Sequence, residues 1–334
     1  MNEHLPVMAA EVVEFLVTRT DGVYVDCTLG GGGHARQILN NAPEGRLLGL
    51  DLDADAVERA AAELSMFRDR MTLVQSNFAD IQDVVADSGL GGVDGVLFDL
   101  GFSSTQLDDP ARGFSYQHEG PIDMRLDATG ATPAGGTTAA ELLDRINEKE
   151  LARIIFEFGE ERRAHPIARS IIAARDDDRM RTTSDLAAAV IATKPARRNK
   201  TLSRVFQALR IAVNGELDNL SSGLEGAVEV LRPGGRVVAI SYHSLEDRMV
   251  KRHFARCERP CTCPRDIPEC VCGKKPTLRV ITRRIVTPGD AEVARNPRAR
   301  SAKLRVAEKL DVPEAASGAG AGTAADGSGR ARTC

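Results

Sequence analysis

The stretch "YVDCTLGGGGHARQIL", Tyr24 to Leu39, places four consecutive glycines, Gly30 to Gly33, between an apolar strand-like run and a helix-like one. Glycine loses more conformational freedom on folding than any other residue, so four at one junction point to a tight turn or to a ligand lying close against the backbone. Gly30, Gly32 and Ala35 match the pattern G-x-G-x-x-G/A after a strand and before a helix. Asp51, 21 residues beyond Gly30, sits at the end of the next apolar run, "RLLGLDLD" (46–53), where a carboxylate can accept hydrogen bonds from ribose hydroxyls. The fingerprint predicts an adenosine-bearing cofactor without saying which. The competing reading is a tight glycine turn with no ligand.

Reading outward, strand-like and helix-like runs alternate. "GVYVDCTLG" (22–30), "RLLGLDLD" (46–53), "MTLVQSNF" (71–78) and "VDGVLFDLG" (93–101) are mostly apolar on both faces, as in a parallel sheet covered by helices. The segments between them, such as "ADAVERAAAELSMF" (54–67), carry apolar residues at helical spacing. Strand and helix in alternation is the α/β signature. After a Gly-, Pro-, Asp- and Thr-rich stretch read as loop (108–137), residues 138–214 read as helix after helix with no strand pattern. A helix from Glu216 is expected to end at Pro233-Gly234-Gly235, and "GRVVAISYH" (235–243) is expected to be a fifth strand. "TLRVITRRIVTP" (277–288) and "SAKLRVAEKL" (301–310) read as two more strands, antiparallel neighbours. The expected parts are 1–107 and 215–312 for the sheet domain, 108–214 for a helical insertion and 313–334 for a disordered low-complexity tail.

Composition sets outer bounds. The chain has 334 residues, 42% hydrophobic and 28% charged, enough to bury a sizeable core. The N-terminal "MNEHLPVMAAEVVEFL" lacks a basic leader and a long apolar run, so neither a signal peptide nor a membrane span is expected, and a cytoplasmic location follows by default. The net charge is −4, yet residues 250–310 hold 16 Lys and Arg against 6 Asp and Glu, and residues 194–210 hold 6 basic residues and no acidic one. Two basic tracts on a mildly acidic chain point to a polyanionic partner, the alternative being solvated basic faces.

The strand ends favour a methyl donor over a dinucleotide. Dinucleotide sites use the helix N-terminus to hold a pyrophosphate. Methyl-donor sites instead gather polar and acidic residues around a cationic sulfonium. Here Asp26 and His34 flank the glycines, Asp51 ends the second strand, Asn77 and Phe78 the third, and Asp99 the fourth. Phe78 is placed to lie against an adenine face. Seven strands ending in a hairpin give the expected fold class: α/β, a class I methyltransferase (Rossmann-like) seven-stranded sheet with an inserted all-helical domain.

Further motifs are more specific. "EHLPVM" (3–8), "DCTLGGGGHA" (26–35), "GLDLDADA" (49–56), "FDLGFSSTQLDDPARGFSYQHEGPIDMR" (98–125), "VFQALRIAVNGEL" (205–217), "LRPGGRVVAISYHSLEDRMVKRHF" (231–254) and "NPRARSAKLRVAEK" (296–309) stand in order along the chain. In these the sequence resembles the bacterial MraW-type methyltransferases from about Glu3 to Glu308. The resemblance implies S-adenosylmethionine as cofactor and N4-methylation of a cytidine in the decoding centre of 16S ribosomal RNA, within the small ribosomal subunit. It implies cofactor contacts from Gly32, Gly33, His34, Asp51, Phe78, Asp99 and Gln106. Position 102 is Phe where that family usually has Val. A homodimer is compatible with the sequence.

Transfer to an exocyclic amine needs alignment of amine, methyl and sulfur, and an acceptor for the amine proton. Asp99 is the candidate, as catalyst or as cofactor ligand, and His243 is a weaker candidate base. "SYHSLEDR" (241–248) reads either as part of a cytidine pocket or as a helix cap. Cys27 reads as packing. Arg125, Lys194, Arg197, Arg198, Lys200 and Arg204 are the expected RNA contacts, positioning phosphates without reading sequence. Cys261-x-Cys263 and Cys270-x-Cys272 offer four thiolates to a structural Zn²⁺, although the usual C-x₂-C spacing is absent, and reduced loop thiols are the other reading. The competing functions are an NAD-dependent oxidoreductase, an RNA-binding protein without catalysis, and a small-molecule methyltransferase.

Overall fold

The computed structural model describes residues 6–127, 136–264 and 269–311, without the Ser104 side chain; the expected tail, 313–334, lies outside the described residues. The chain begins with α1 (Ala9–Leu16), β1 (Val23–Asp26), α2 (Gly33–Asn41), β2 (Arg46–Asp51), α3 (Ala54–Glu63), β3 (Met71–Gln75), α4 (Ile81–Asp87) and β4 (Val93–Asp99). It continues through α5 (Ser104–Asp108), α6 (Ala139–Arg145), α7 (Glu148–Gly159), α8 (Ala164–Asp176), α9 (Thr183–Ala192), α10 (Arg198–Asn214) and α11 (Glu216–Val230). It closes with β5 (Leu231–Ser241), α12 (Ser244–Glu258), β6 (Leu278–Val280), α13 (Asp290–Arg295) and β7 (Lys303–Lys309).

The seven strands form one sheet in the order β3-β2-β1-β4-β5-β7-β6. The first five are parallel, and β7 runs antiparallel to both β5 and β6. The expected class I arrangement and its terminal hairpin are therefore present. Apolar residues cover both faces: Leu16, Ile38 and Leu64 pack with Leu97 and Ile240 on one, and Ile81, Leu224 and Phe254 pack with Phe98 and Leu50 on the other. Each such fully buried side chain contributes roughly 1.5–3 kcal/mol relative to exposure. Between β4 and β5 the helices gather a third apolar cluster of their own, from Phe114 to Leu209, with Leu151, Ile155, Ile171 and Leu186 at its centre.

Several local readings shift. The helix before β5 ends at Val230, and Pro233-Gly234-Gly235 lies within the span of β5, beside a register irregularity at Val93 and Gly95. Pro233 and Gly234 are exposed and Gly235 is buried; a proline without N–H is tolerated at this interruption of the ladder. The run 277–288 pairs as a strand only over Leu278–Val280; beyond it Thr282 accepts the Val306 N–H through its hydroxyl (2.8 Å), and contact with β7 resumes as a single bridge at Val286. The short helices α5 and α13 are additions to the expected pattern. None of the described helices is long and apolar enough to cross a membrane.

Helix α7 crosses α10 at Gly159, where a Cβ would stand 2.6 Å from the Arg204 carbonyl oxygen. Alanine ordinarily stabilises a helix by about 1 kcal/mol over glycine. At Gly159 the steric term outweighs propensity, because the neighbour is backbone. Gly159→Ala is expected to lower the thermal midpoint; an unchanged or raised midpoint would show that the two helices can separate without loss.

Candidate active site

All five parallel strands deliver their carboxyl ends to one cavity of about 430 Å³. Its walls come from Thr28 to Gly31 after β1, Asp51 after β2, Ser76 to Phe78 after β3, Asp99 to Ser103 after β4, and Tyr242 and His243 after β5. The opposite wall belongs to the helical unit, through Gln207, Arg210 and Asn214 of α10. This is the crevice in which open α/β sheets bind ligands, where β1 has β2 on one side and β4 on the other.

The glycine loop is held by Asp51. Its Oδ2 accepts the Gly30 N–H (2.8 Å) and its Oδ1 the Asp53 N–H (2.9 Å). Gly30, Gly31 and Gly33 line the cavity, and a Cβ on Gly31 would meet nothing within 4 Å. Gly32 does not line it. It stands at φ +78° as the residue before α2, where a Cβ would lie 3.0 Å from Leu64 Cδ1. The left-handed backbone accounts for a glycine at this position.

Charge is concentrated at the strand ends. Burial pushes the Asp26 carboxyl up to about 6, with His34 pulling it down and Asp99 and Asp51 adding to the rise. Burial also raises Asp51 to about 6, against the two N–H groups it accepts. Burial alone would lower the His34 imidazole, but the Asp99 carboxylate, with Asp26 behind it, outweighs that and holds it above its ordinary value. His34 Nε2 stands 3.4 Å from Asp99 Oδ2, a charge contact without hydrogen-bond alignment. The Tyr242 hydroxyl donates to Asp99 Oδ1 (2.7 Å), and the Asp99 N–H donates to the Thr28 hydroxyl (2.7 Å). Burial and the adjacent Asp99 raise the Tyr242 phenol, so it stays a proton donor.

Phe78 borders the cavity, wedged edge-on against Phe98 with ring centroids 5.6 Å apart. Gln106 also borders it, and both ends of its amide are engaged: Oε1 accepts the Ser103 N–H and Nε2 donates to Asp53 Oδ2 (2.9 Å each). Asp53, itself buried, also receives Arg112 Nη1 (3.0 Å), and Arg112 Nη2 donates to the Leu126 carbonyl (2.7 Å). This joint ties β2 to the chain leading into the helical unit. Arg112, Asp53, Tyr242 and Asp26 had not been assigned in this way from sequence, since each acquires its role only from a distant partner.

His243 opens α12 as its cap. Its Nδ1 faces the Glu246 N–H (3.4 Å) and its Nε2 lies 3.1 Å from Glu246 Oε1. Both ring nitrogens are thus turned to Glu246, Nδ1 through the cap and Nε2 in a charge contact without hydrogen-bond alignment. His243 and Glu246 cap the helix, as one reading of 241–248 expects, and both also line the cavity. Ser241 is buried beside the Lys303 carbonyl, and Arg248 pairs with Glu160 (2.8 Å). The Cys27 thiol is buried, which raises its pKa well above the ordinary value, as fits packing.

The basic residues divide. Lys194, Arg197, Arg198 and Lys200 are exposed around the start of α10. Arg204 is half-buried and lies 3.4 Å from Glu161, and Arg125 is clamped on Asp123 through two hydrogen bonds. Arg210, counted in the same basic tract, is buried; it forks onto Glu216 (2.7 and 2.8 Å) with its guanidinium 4.6 Å from the Phe102 ring centroid. Phe102 in turn stacks on Phe114 at 5.6 Å. A second cavity of about 340 Å³ shares Phe102, Leu107, Gln207 and Arg210 with the first and adds Phe114, Tyr116 and Phe206.

Residues 1–310 match the model of the MraW methylase family. The chain belongs to that family. A protein from Carboxydothermus hydrogenoformans called ribosomal RNA small subunit methyltransferase H is 54% identical over 310 residues, covering 92% of this chain and 98% of the other. Proteins of the same name from Symbiobacterium thermophilum and Geobacter sulfurreducens are 50% and 52% identical, covering 94% and 92% of this chain and 98% and 99% of theirs. The enzyme is accordingly a methyltransferase dependent on S-adenosylmethionine.

The cavity suits that cofactor. Among the described residues, Asp26 Oδ2, both His34 nitrogens and His243 Nε2 are buried with no hydrogen-bond partner. A ligand carrying an ammonium and a carboxylate supplies such partners, and Asp51 and Asp99 offer acceptors to a diol and a field for a cation. The pH dependence follows. Asp26 and Asp51 titrate above their ordinary value of 3.8, so the stability they contribute is full below about pH 4 and is lost as pH rises through about 6. A cationic cofactor favours the ionised carboxylates and recovers that loss. Its stabilisation, read by thermal shift, is expected to be larger at about pH 7.5 than at about pH 5. Equal shifts at both would mean that these acids do not face the cation.

Proposed function

We propose that the enzyme transfers a methyl group from S-adenosylmethionine to N4 of a cytidine in the decoding centre of 16S ribosomal RNA, in the cytoplasm and on the small subunit. The observation that carries this reading is the near half-identity, across nine-tenths of the chain, to proteins named for small-subunit ribosomal RNA. The geometry is consistent with it: an acidic cleft for a cation lies beside an aromatic cavity, and exposed cations surround the start of α10.

The cofactor supplies an electrophilic methyl group on a sulfonium. Gly31 and Gly33 let the backbone come close to it, His34 and Asp26 meet its amino-acid end, Asp51 its ribose and Phe78 its adenine. Asp99 lies between the two sides. Its carboxylate, oriented by the Tyr242 hydroxyl and faced by His34, accepts a hydrogen bond from the N4 amine. That draws the nitrogen lone pair out of conjugation with the ring, and the carboxylate would take the proton that N4 loses as the N–C bond forms and the methyl's bond to sulfur breaks, its electron pair staying on sulfur. His243 keeps α12 in place. The target base must leave its stack to arrive here, and the second cavity, with Phe114, Tyr116 and Phe206, is its entry. Lys194, Arg197, Arg198 and Lys200 hold the phosphates. Arg204 and Arg125, already paired with acids, contribute less.

The test is incubation of small subunits from cells lacking the enzyme with methyl-labelled cofactor, followed by nucleoside mass spectrometry. N4-methylcytidine at one decoding-centre position is expected, and label elsewhere or on another atom would refute the assignment. Asp99→Asn is expected to slow transfer roughly 10²-fold or more. Tyr242→Phe, which removes one hydrogen bond to a charged group, is expected to slow it about 10-fold with cofactor affinity little changed. Full activity in both variants would remove Asp99 from the proton path. Separately, a triple Arg197→Glu, Arg198→Glu, Lys200→Glu variant is expected to bind subunits more weakly with a shallower salt dependence. An unaltered salt slope would move the phosphate contacts elsewhere.

A further inference from the structure

Between α12 and β6 the chain makes an excursion that has no core. Its neck is closed by a hydrogen bond from the Thr277 N–H to the Cys257 carbonyl (3.0 Å). None of the described residues from Pro260 to Thr277 is buried or lies in a helix or strand, and Val271 is 76% exposed. Yet four side chains from two separate pieces of this excursion converge. Cys270 Sγ lies 3.5 Å from Cys261 Sγ, 3.9 Å from Cys263 Sγ and 3.4 Å from Cys272 Sγ, and all four sulfurs lie within 4.8 Å of one another. All four are free thiols.

We infer that these four cysteines form a tetrahedral zinc site that organises the excursion independently of the methyl-transfer cleft. With Zn–S bonds of about 2.3 Å, the edges of a ZnS₄ tetrahedron are about 3.8 Å, and the three sulfur separations around Cys270 bracket that value. Burial does not explain the convergence, because two of the four thiols are exposed and none of the four belongs to an apolar cluster of the described residues. A segment this small holds one conformation only with a covalent or metal cross-link. The ligand set also chooses the metal: four thiolates select zinc over hard cations such as Mg²⁺. Four thiolates around Zn²⁺ carry a net charge of −2, and the sequence of 259–277 holds four basic residues against two acidic ones to offset it. No described cavity residue belongs to the cluster, so the metal has no part in the chemistry. It fixes a loop whose sequence carries four basic residues.

The test uses the full chain, purified without chelator or added metal and analysed by inductively coupled plasma mass spectrometry. About one zinc per chain is expected. Replacement by Co²⁺ is expected to give the visible bands and thiolate charge transfer of tetrahedral CoS₄. A Cys261→Ser, Cys272→Ser double variant is expected to lose the metal and to gain hydrogen exchange confined to 259–277, with the thermal shift on adding S-adenosylmethionine unchanged. Cys257→Ser, outside the tetrad, is expected to keep the metal. A chain free of metal whose four thiols alkylate as fast folded as unfolded would overturn the site. So would a disulfide within the tetrad, or a cobalt spectrum that survives the double substitution.

Discussion

The adjacency of β1 and β4 is the constraint from which the rest follows. Tyr24, Val25 and Asp26 pair with Gly95, Val96 and Leu97, so two strands far apart in sequence end side by side. With β2 on the other flank, that pairing brings Asp26, Asp51 and Asp99 to one edge of the sheet. Like charges resist such crowding, and the fold answers with N–H donors to Asp51, a tyrosine on Asp99 and an imidazole beside it. The shape and the field of the cleft are two results of one strand order.

The sheet was legible because its strands are short apolar runs separated by helical periodicity, and that pattern is local. The glycine run and Asp51 were legible for the same reason. What escaped was whatever depends on a partner remote in the chain. Tyr242 reads as an ordinary residue after a strand until β5 lies beside β4. Arg112 reads as one basic residue in a loop until Asp53 lies opposite. Gly32 matched a fingerprint as a contact, yet only three-dimensional packing reveals that Leu64 occupies the space before it.

Arg210 illustrates a further limit. Counting charge along 194–210 treats six basic residues as equivalent, but a helix turns through every direction in four residues. Arg210 faces inward onto Glu216 and Phe102, while Arg197 and Arg198 face solvent. Composition measures how much charge a segment carries, and helical phase decides where it goes. The same phase sets Phe102 under a guanidinium and against Phe114, so its ring already has neighbours before any base arrives.

Helix α10 has 17 residues, about 25 Å from end to end. Its first turn carries cations in open water, and its last turns carry Arg210 and Asn214 into the wall of the cleft. Asn214 grips the Met124 and Arg210 carbonyls and the Leu126 N–H, each at 2.8 Å, so that end is fixed against the strap that carries the Arg112 joint. A rod anchored in this way is a ruler. On the function proposed above, it would set the distance between where a polyanion is gripped and where a single nucleotide is presented, so that a change in the length of α10 would alter which nucleotide that is.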